Sequence, residues 1–201
     1  MKIIDISNDL LTAEVYEGDP VPEINRIKSI SEGSYYNLST LNACLHNGTH
    51  ADAPLHFIDD GNSIDECELE KFIGPCRVLS FSSGIITGQV VEDYFPRDCK
   101  KILIKSNGKA FLHETAAEVM AYLGYELVGT DGNTVEAPDS TGSAHISLLR
   151  NNIAVLEGLD LSEVSNGEYF LIAPPVKIAG AEASFARALL ISDYIFWSKK
   201  D

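Results

Sequence analysis

The chain has 201 residues, enough to bury one substantial core, and its 45% hydrophobic and 22% charged content is that of an ordinary folded domain and not of a disordered segment. A formal net charge of -15 argues against nucleic acid or an anionic membrane surface as partner, because both are bound through basic patches. Cys44, Cys67, Cys76 and Cys99 lack any Cys-x-x-Cys spacing, which argues against a zinc ribbon or redox pair and predicts free thiols in a reducing compartment.

The first residues, Met1-Lys2-Ile3-Ile4-Asp5-Ile6, reach an acid at once and lack the apolar stretch of a signal peptide. No later segment is long enough to span a bilayer, so a cytoplasmic protein is expected. Residues 2–6 alternate into a short strand, and residues 8–19 read as a loop ending in the Gly18-Asp19-Pro20 turn. Tyr16 stands before that turn as a half-buried aromatic closing the loop. Residues 24–30 and 36–43 read as two strands around a Ser-Glu-Gly-Ser turn, and the second feeds the densest chemistry in the chain.

That chemistry is His46-Asn47-Gly48-Thr49-His50-Ala51-Asp52-Ala53-Pro54-Leu55-His56-Phe57, with three of the five histidines inside eleven residues. Gly48 and Pro54 disfavour a helix, so an extended backbone is predicted. His46, His50, Asp52 and His56 share one parity, and an extended chain would place all four on one face. Imidazole and carboxylate suit divalent zinc or manganese. On residue types alone the run is as compatible with chance as with metal binding, and for a metal site its lack of thiolates favours an open, catalytic one over a closed, structural one. Asp59 and Asp60 follow in a solvated turn without the calcium-loop spacing.

From residue 77 the pattern changes to strands at 77–81, 101–105, 127–130, 153–156, 168–172 and 187–191, with helices among them. A helix over 116–123 has Thr115 and Glu118 at capping-box spacing and Gly124 at its end. His113, just outside that cap, reads as a loop residue. A second helix covers 143–151, with His145 near its start, and Glu157 ends the apolar run that follows. Taken alone, Glu157 is as much a salt-bridge partner as a ligand. Asp131 ends another strand, Asn166-Gly167 signals a hairpin turn, and 198–201 reads as a frayed end. No repeat or linker divides the sequence, so one domain over residues 1–201 is expected.

The pattern His-x-Gly-Thr-His-x-Asp-x-Pro-x-His-Phe resembles the signature of the metal-dependent cyclase family, whose members include bacterial kynurenine formamidase and isatin hydrolase. Asp5-Ile6-Ser7, Tyr16-Glu17-Gly18-Asp19-Pro20, Gly129-Thr130-Asp131, Ala144-His145, Leu156-Glu157 and residues 173–180 extend the resemblance over most of the chain. It implies an α/β fold of the swivelling β/β/α type, a single domain with a mixed sheet. It also implies His46, His50, Asp52, His145 and Glu157 as ligands of one or two zinc or manganese ions, with Asp52 able to bridge them. Asp131 takes a supporting part near the site, and homodimers or homotetramers are the family habit.

The same resemblance makes His56 the general base and acid, a role its ordinary pKa near 6.5 suits. The activity implied is hydrolysis of N-formylkynurenine to kynurenine and formate, since such ions lower the pKa of water from about 15.7 toward 7. Kynurenine formamidases commonly carry Trp-Pro where this chain has Tyr16-Glu17, so Tyr16 is the expected substrate-stacking residue and its identity bears on the substrate. The loop at Asn133-Thr134-Val135-Glu136 departs mildly from the family's usual Ser and Asp. Two alternatives stand beside this reading: a hydrolase of a cyclic amide such as isatin, or of a lactone, and a non-catalytic metal-binding protein.

Overall fold

A computed structural model describes residues 1–193, and the expected frayed end at 198–201 lies outside the described residues. In chain order the strands are β1 (Lys2–Asp5), β2 (Glu23–Lys28), β3 (Leu38–Asn42), β4 (His50–Asp52), β5 (Ile73–Ser80), β6 (Gly84–Ile86), β7 (Lys101–Lys105), β8 (Ala110–Leu112), β9 (Leu127–Thr130), β10 (Ala154–Glu157), β11 (Gly167–Ile172), β12 (Ala183–Phe185) and β13 (Leu189–Ser192). The helices are α1 (Gly88–Tyr94), α2 (Glu114–Tyr122) and α3 (Ser143–Arg150). Nine strands make one mixed sheet in the order β1-β13-β11-β5-β7-β9-β10-β4-β12. Its centre, β5-β7-β9-β10, is parallel, and every pairing outside it is antiparallel. The α/β class with a mixed sheet is therefore observed.

The central strands are apolar on both faces because both faces are covered. Leu103, Leu127 and Leu156 point to one side, into a core with Phe72, Leu171 and Leu190. Ile102, Ile104, Val128 and Val155 point to the other, where Ala116, Ala117 and Met120 of α2 and Leu148 of α3 cover them. The sheet also curls. β12 lies at one end of the strand order and β13 next to the other end, yet only three residues, Ala186 to Ala188, separate them in sequence. A Ser7–Leu159 bridge and the bond from Asp160 N–H to the Ile6 carbonyl at 2.9 Å tie the β1 end back to the loop after β10. This curl brings β4 and β10 together under the N-terminal loop.

Most predicted strands coincide with observed ones within a few residues, but four readings are corrected. Asn166-Gly167 does not turn a hairpin: Gly167 opens β11, whose partners are β5 and β13. The α2 cap is His113, whose side chain accepts from Thr115 N–H, and not Thr115. Thr115 is drawn away because its hydroxyl accepts from Gly88 N–H at 3.1 Å, joining α2 to α1. The β6–β8 pair, α1 and β12 were not anticipated, being too short for periodicity to mark. The single-face arrangement of the histidine run is the fourth.

Candidate metal centre and its cavity

In β4 the side chains alternate, so Ala51 enters the core while His50 and Asp52 leave the opposite face. β10 pairs antiparallel with β4 and sets Glu157 directly across from His50. His145, in the first turn of α3, brings its Nε2 to 3.0 Å from Glu157 Oε1 and 3.7 Å from Asp52 Oδ2. Extended backbone accounts only for His50 and Asp52. Gly48, at φ 63°, turns the chain before β4, so His46 lies in a turn and arrives from the side with Nδ1 3.2 Å from Asp52 Oδ1. Pro54 opens a 3-10 turn, Pro54–His56, that carries His56 onto the rim of the same site. His46, His50, Asp52, His56, His145 and Glu157 come together, but two separate turns and not a common parity deliver the outer histidines, His46 and His56.

Asp52 is the centre of the arrangement. Its residue is 1% exposed, and neither carboxylate oxygen is met by an aligned hydrogen-bond donor. His50 Nε2 stands 3.5 Å from Asp52 Oδ1 and 3.5 Å from Glu157 Oε2. A buried carboxylate without donors is costly, and a cation is what relieves it. The ligand atoms form two overlapping groups, His46–His50–Asp52 and Asp52–His145–Glu157, each spanning no more than 4.8 Å. Nitrogen and oxygen donors at this separation fit zinc or manganese.

The local charges agree with this geometry. Burial opposes the charged form of His50, but Glu157 and Asp52 outweigh it and raise its pKa to about 9. Burial likewise opposes charge on His145, and the carboxylates of Glu136 and Glu157 raise it to about 10. Glu157 is held well below the usual carboxylate range despite its burial, by His145 and His50. His56 behaves oppositely: burial, and the neighbouring His46 and His145, lower its pKa against the pull of Asp52.

Above the cluster lies a cavity of about 490 Å³, lined by Tyr16, Asp19, His56, Phe57, Pro138 and Thr141 among others. Tyr16 thus lines the cavity above the cluster. The Phe57 ring stacks on His145 with centroids 4.7 Å apart, and His56 lies 4.1 Å from His46. Asp131 is not among the clustered ligand atoms; its carboxylate accepts from Ser106, Asn107 and Gly108 N–H at 2.8–3.0 Å and fixes that loop against the neighbouring strand. Cys44 donates toward Asp19 at 3.8 Å, and burial raises its pKa, so it stays a thiol.

Two residues at the site had no sequence role assigned. Glu136 is buried against His145, and Glu182 Oε1 lies 3.6 Å from His46 Nε2. Glu136 carried a faint signal as an acid in a loop beside a matched motif. Glu182 carried none, since it meets His46 only through the pairing of β12 with β4.

Comparison with known proteins agrees with the architecture. Residues 4–137 match the family model described as "Putative cyclase". The chain is 35% identical to a kynurenine formamidase of Sphingopyxis alaskensis over 94% of its own length and 97% of that protein. A solved structure titled as a "predicted metal-dependent hydrolase" from Bacillus stearothermophilus is 27% identical, with TM-score 0.81 over 94% of this chain and 97% of the other. Isatin hydrolase A from Labrenzia aggregata shares the fold at TM-score 0.81 and 21% identity, over 94% and 93% of the two chains.

Proposed function

The chain belongs to the cyclase family, and from that premise we propose that it is a metal-dependent hydrolase of a non-peptide C–N bond, with N-formylkynurenine as substrate and kynurenine and formate as products. The observation that carries the proposal is Asp52, a buried carboxylate without a hydrogen-bond donor, ringed by His46, His50, His145 and Glu157 at the floor of an aromatic-walled cavity. Identity of 33–35% to kynurenine formamidases over nearly the whole chain supports the choice of substrate.

His46, His50, Asp52, His145 and Glu157 would hold one or two ions, zinc or manganese. When bound, such an ion polarises a carbonyl and acidifies water. His56 takes the proton from the attacking water and returns it to the departing aryl nitrogen, so the amide C–N bond breaks to a neutral amine. Its depressed pKa keeps it a proton acceptor at neutral pH. Tyr16 and Phe57 supply aromatic faces for the aryl ring of the substrate. A purely structural ion would not need the cavity above it, nor a neutral histidine on its rim.

We further propose that residues 1–201 act as one such domain and that two copies associate through the β2–β3 arm. The arm pairs with no other strand among the described residues, and Ile24, Ile27, Leu38 and Leu41 are each more than 40% exposed on it. An isolated two-stranded ribbon with an apolar surface is marginal in water, and a second copy would cover it. Four cysteines without a disulfide suit a reducing compartment, in keeping with a cytoplasmic enzyme.

The deciding experiment is formate release from N-formylkynurenine by chelator-stripped protein resupplied with zinc or manganese. Turnover restored by either ion is expected. Silence in folded, metal-loaded protein would overturn the proposal, and turnover of isatin instead would move the substrate to a cyclic amide.

A further inference from the structure

Glu136 is 4% exposed, and its carboxylate is shared between two tasks. Its Oε1 accepts from the backbone N–H groups of Ala144 and His145, and its Oε2 from the Ser140 hydroxyl at 2.8 Å. These bonds replace the cap that α3 lacks, because the residue before it is Gly142, which has no side chain to offer. The second task concerns the imidazole. Glu136 Oε2 lies 3.3 Å from His145 Nδ1, within ion-pair reach but not aligned as a hydrogen bond, while the other ring nitrogen, Nε2, faces Glu157 and Asp52.

A histidine ligand needs one nitrogen bare toward the ion and the other held as N–H by an acceptor, which fixes tautomer and ring direction together. The same device already serves His50, whose Nδ1 is 3.0 Å from the Gly48 carbonyl while its Nε2 faces the carboxylates. At His145 the only such acceptor within ion-pair distance of Nδ1, among the described residues, is Glu136.

We propose that Glu136 is a positioning residue for the metal centre: one carboxylate starts α3 and also locks His145 with hydrogen on Nδ1 and Nε2 free for the ion. The inference rests on the metal reading of the site. It gives the buried carboxylate a role beyond capping α3, toward the imidazole that it faces. Glutamine in its place would keep an acceptor for the helix N–H groups, but would lose the charge that holds Nδ1–H.

The test is zinc affinity by chelator competition for the wild type, Glu136→Gln and Glu136→Ala, with near-ultraviolet circular dichroism to establish folding. The expected result is a folded Glu136→Gln protein that binds zinc about ten- to a hundredfold more weakly, the range for losing a partner behind a ligand histidine. Affinity unchanged in Glu136→Gln would overturn the proposal and leave Glu136 as a helix cap only. If the variants do not fold, nitrogen NMR of the zinc-loaded wild type decides: a proton on His145 Nδ1 supports the proposal, and one on Nε2 overturns it. Wild-type protein that takes up no zinc or manganese would instead remove the metal reading on which the inference stands.

Discussion

His56 shares one small site with His50 and His145, yet their proton affinities move in opposite directions from the ordinary histidine value. The difference is what each faces: His50 and His145 face carboxylates, whereas His56 is buried beside other imidazoles. A base that is neutral at the working pH can accept a proton without first losing one. Replacement His56→Asn is therefore expected to lower kcat by about 10²- to 10⁴-fold, the usual worth of a positioned acid–base group, while metal content by emission spectroscopy stays that of the wild type. Loss of metal along with activity would make His56 a ligand. The acid limb of the kcat/KM profile should fall below the ordinary histidine value near 6.5, because the His56 pKa is depressed. At the cavity wall, Tyr16→Ala should raise KM for an aryl formamide more than it lowers kcat, since in the proposed function Tyr16 offers an aromatic face to the substrate ring and takes part in no proton transfer.

At the scale of elements, β4 is only three residues long, and its precision comes from its neighbours. It is clamped between β10 and β12, and Thr49 and Ala53 extend the clamp through bonds with Ala186 and Glu182. The turn before it is packed still more closely. Gly158 has φ 64°, and a side chain there would stand 2.2 Å from the Gly48 carbonyl oxygen, the atom that faces His50 Nδ1. Gly158→Ala must both strain the backbone and push that carbonyl aside. Urea denaturation of the metal-free variant is expected to show a loss of about 1–3 kcal/mol, with weaker zinc binding because the His50 anchor moves. A variant as stable as the wild type, with unchanged zinc affinity, would show that this contact does not hold the site.

Across the whole molecule the site acts as a charge store. In the metal-free protein, the folded-state pKa values of His50 and His145 lie at about 9 and about 10, above the ordinary value near 6.5. Such groups give stability that is fully present below the unfolded pKa and is lost as pH rises through the folded one. Glu157, depressed when folded, gives stability that is lost only in acid. The thermal midpoint of chelator-treated protein should therefore decline from about pH 7 to pH 10. An ion replaces the lost protons, so the metal-loaded form should decline less over that range. Parallel curves for the two forms would contradict this coupling. The exposed β2–β3 arm predicts association: light scattering coupled to gel filtration should return a mass above the 21.9 kDa of one chain, and Ile24→Lys with Leu41→Lys should shift it toward the monomer.

Local chemistry was written plainly in the sequence. The clustered histidines, the carboxylate among them, the apolar central strands and the helix carrying His145 follow from residue type and period, which depend on near neighbours alone. The resemblance carried by those same residues supplied the distant candidate ligand Glu157. Tertiary structure decided the rest. His46 and His56 reach the site through separate turns that Gly48 and Pro54 impose, because their backbone angles broke the alternation on which a shared face depended. The capping of α2 by His113 depended on α1 competing for Thr115, and Asn166-Gly167 opened a strand because β11 found its partners in β5 and β13. Glu136 and Glu182 gained their places from loop and strand packing, where no local period exists to be read. The residues fixed which atoms could bind an ion, and the curl of the sheet decided which of those atoms meet.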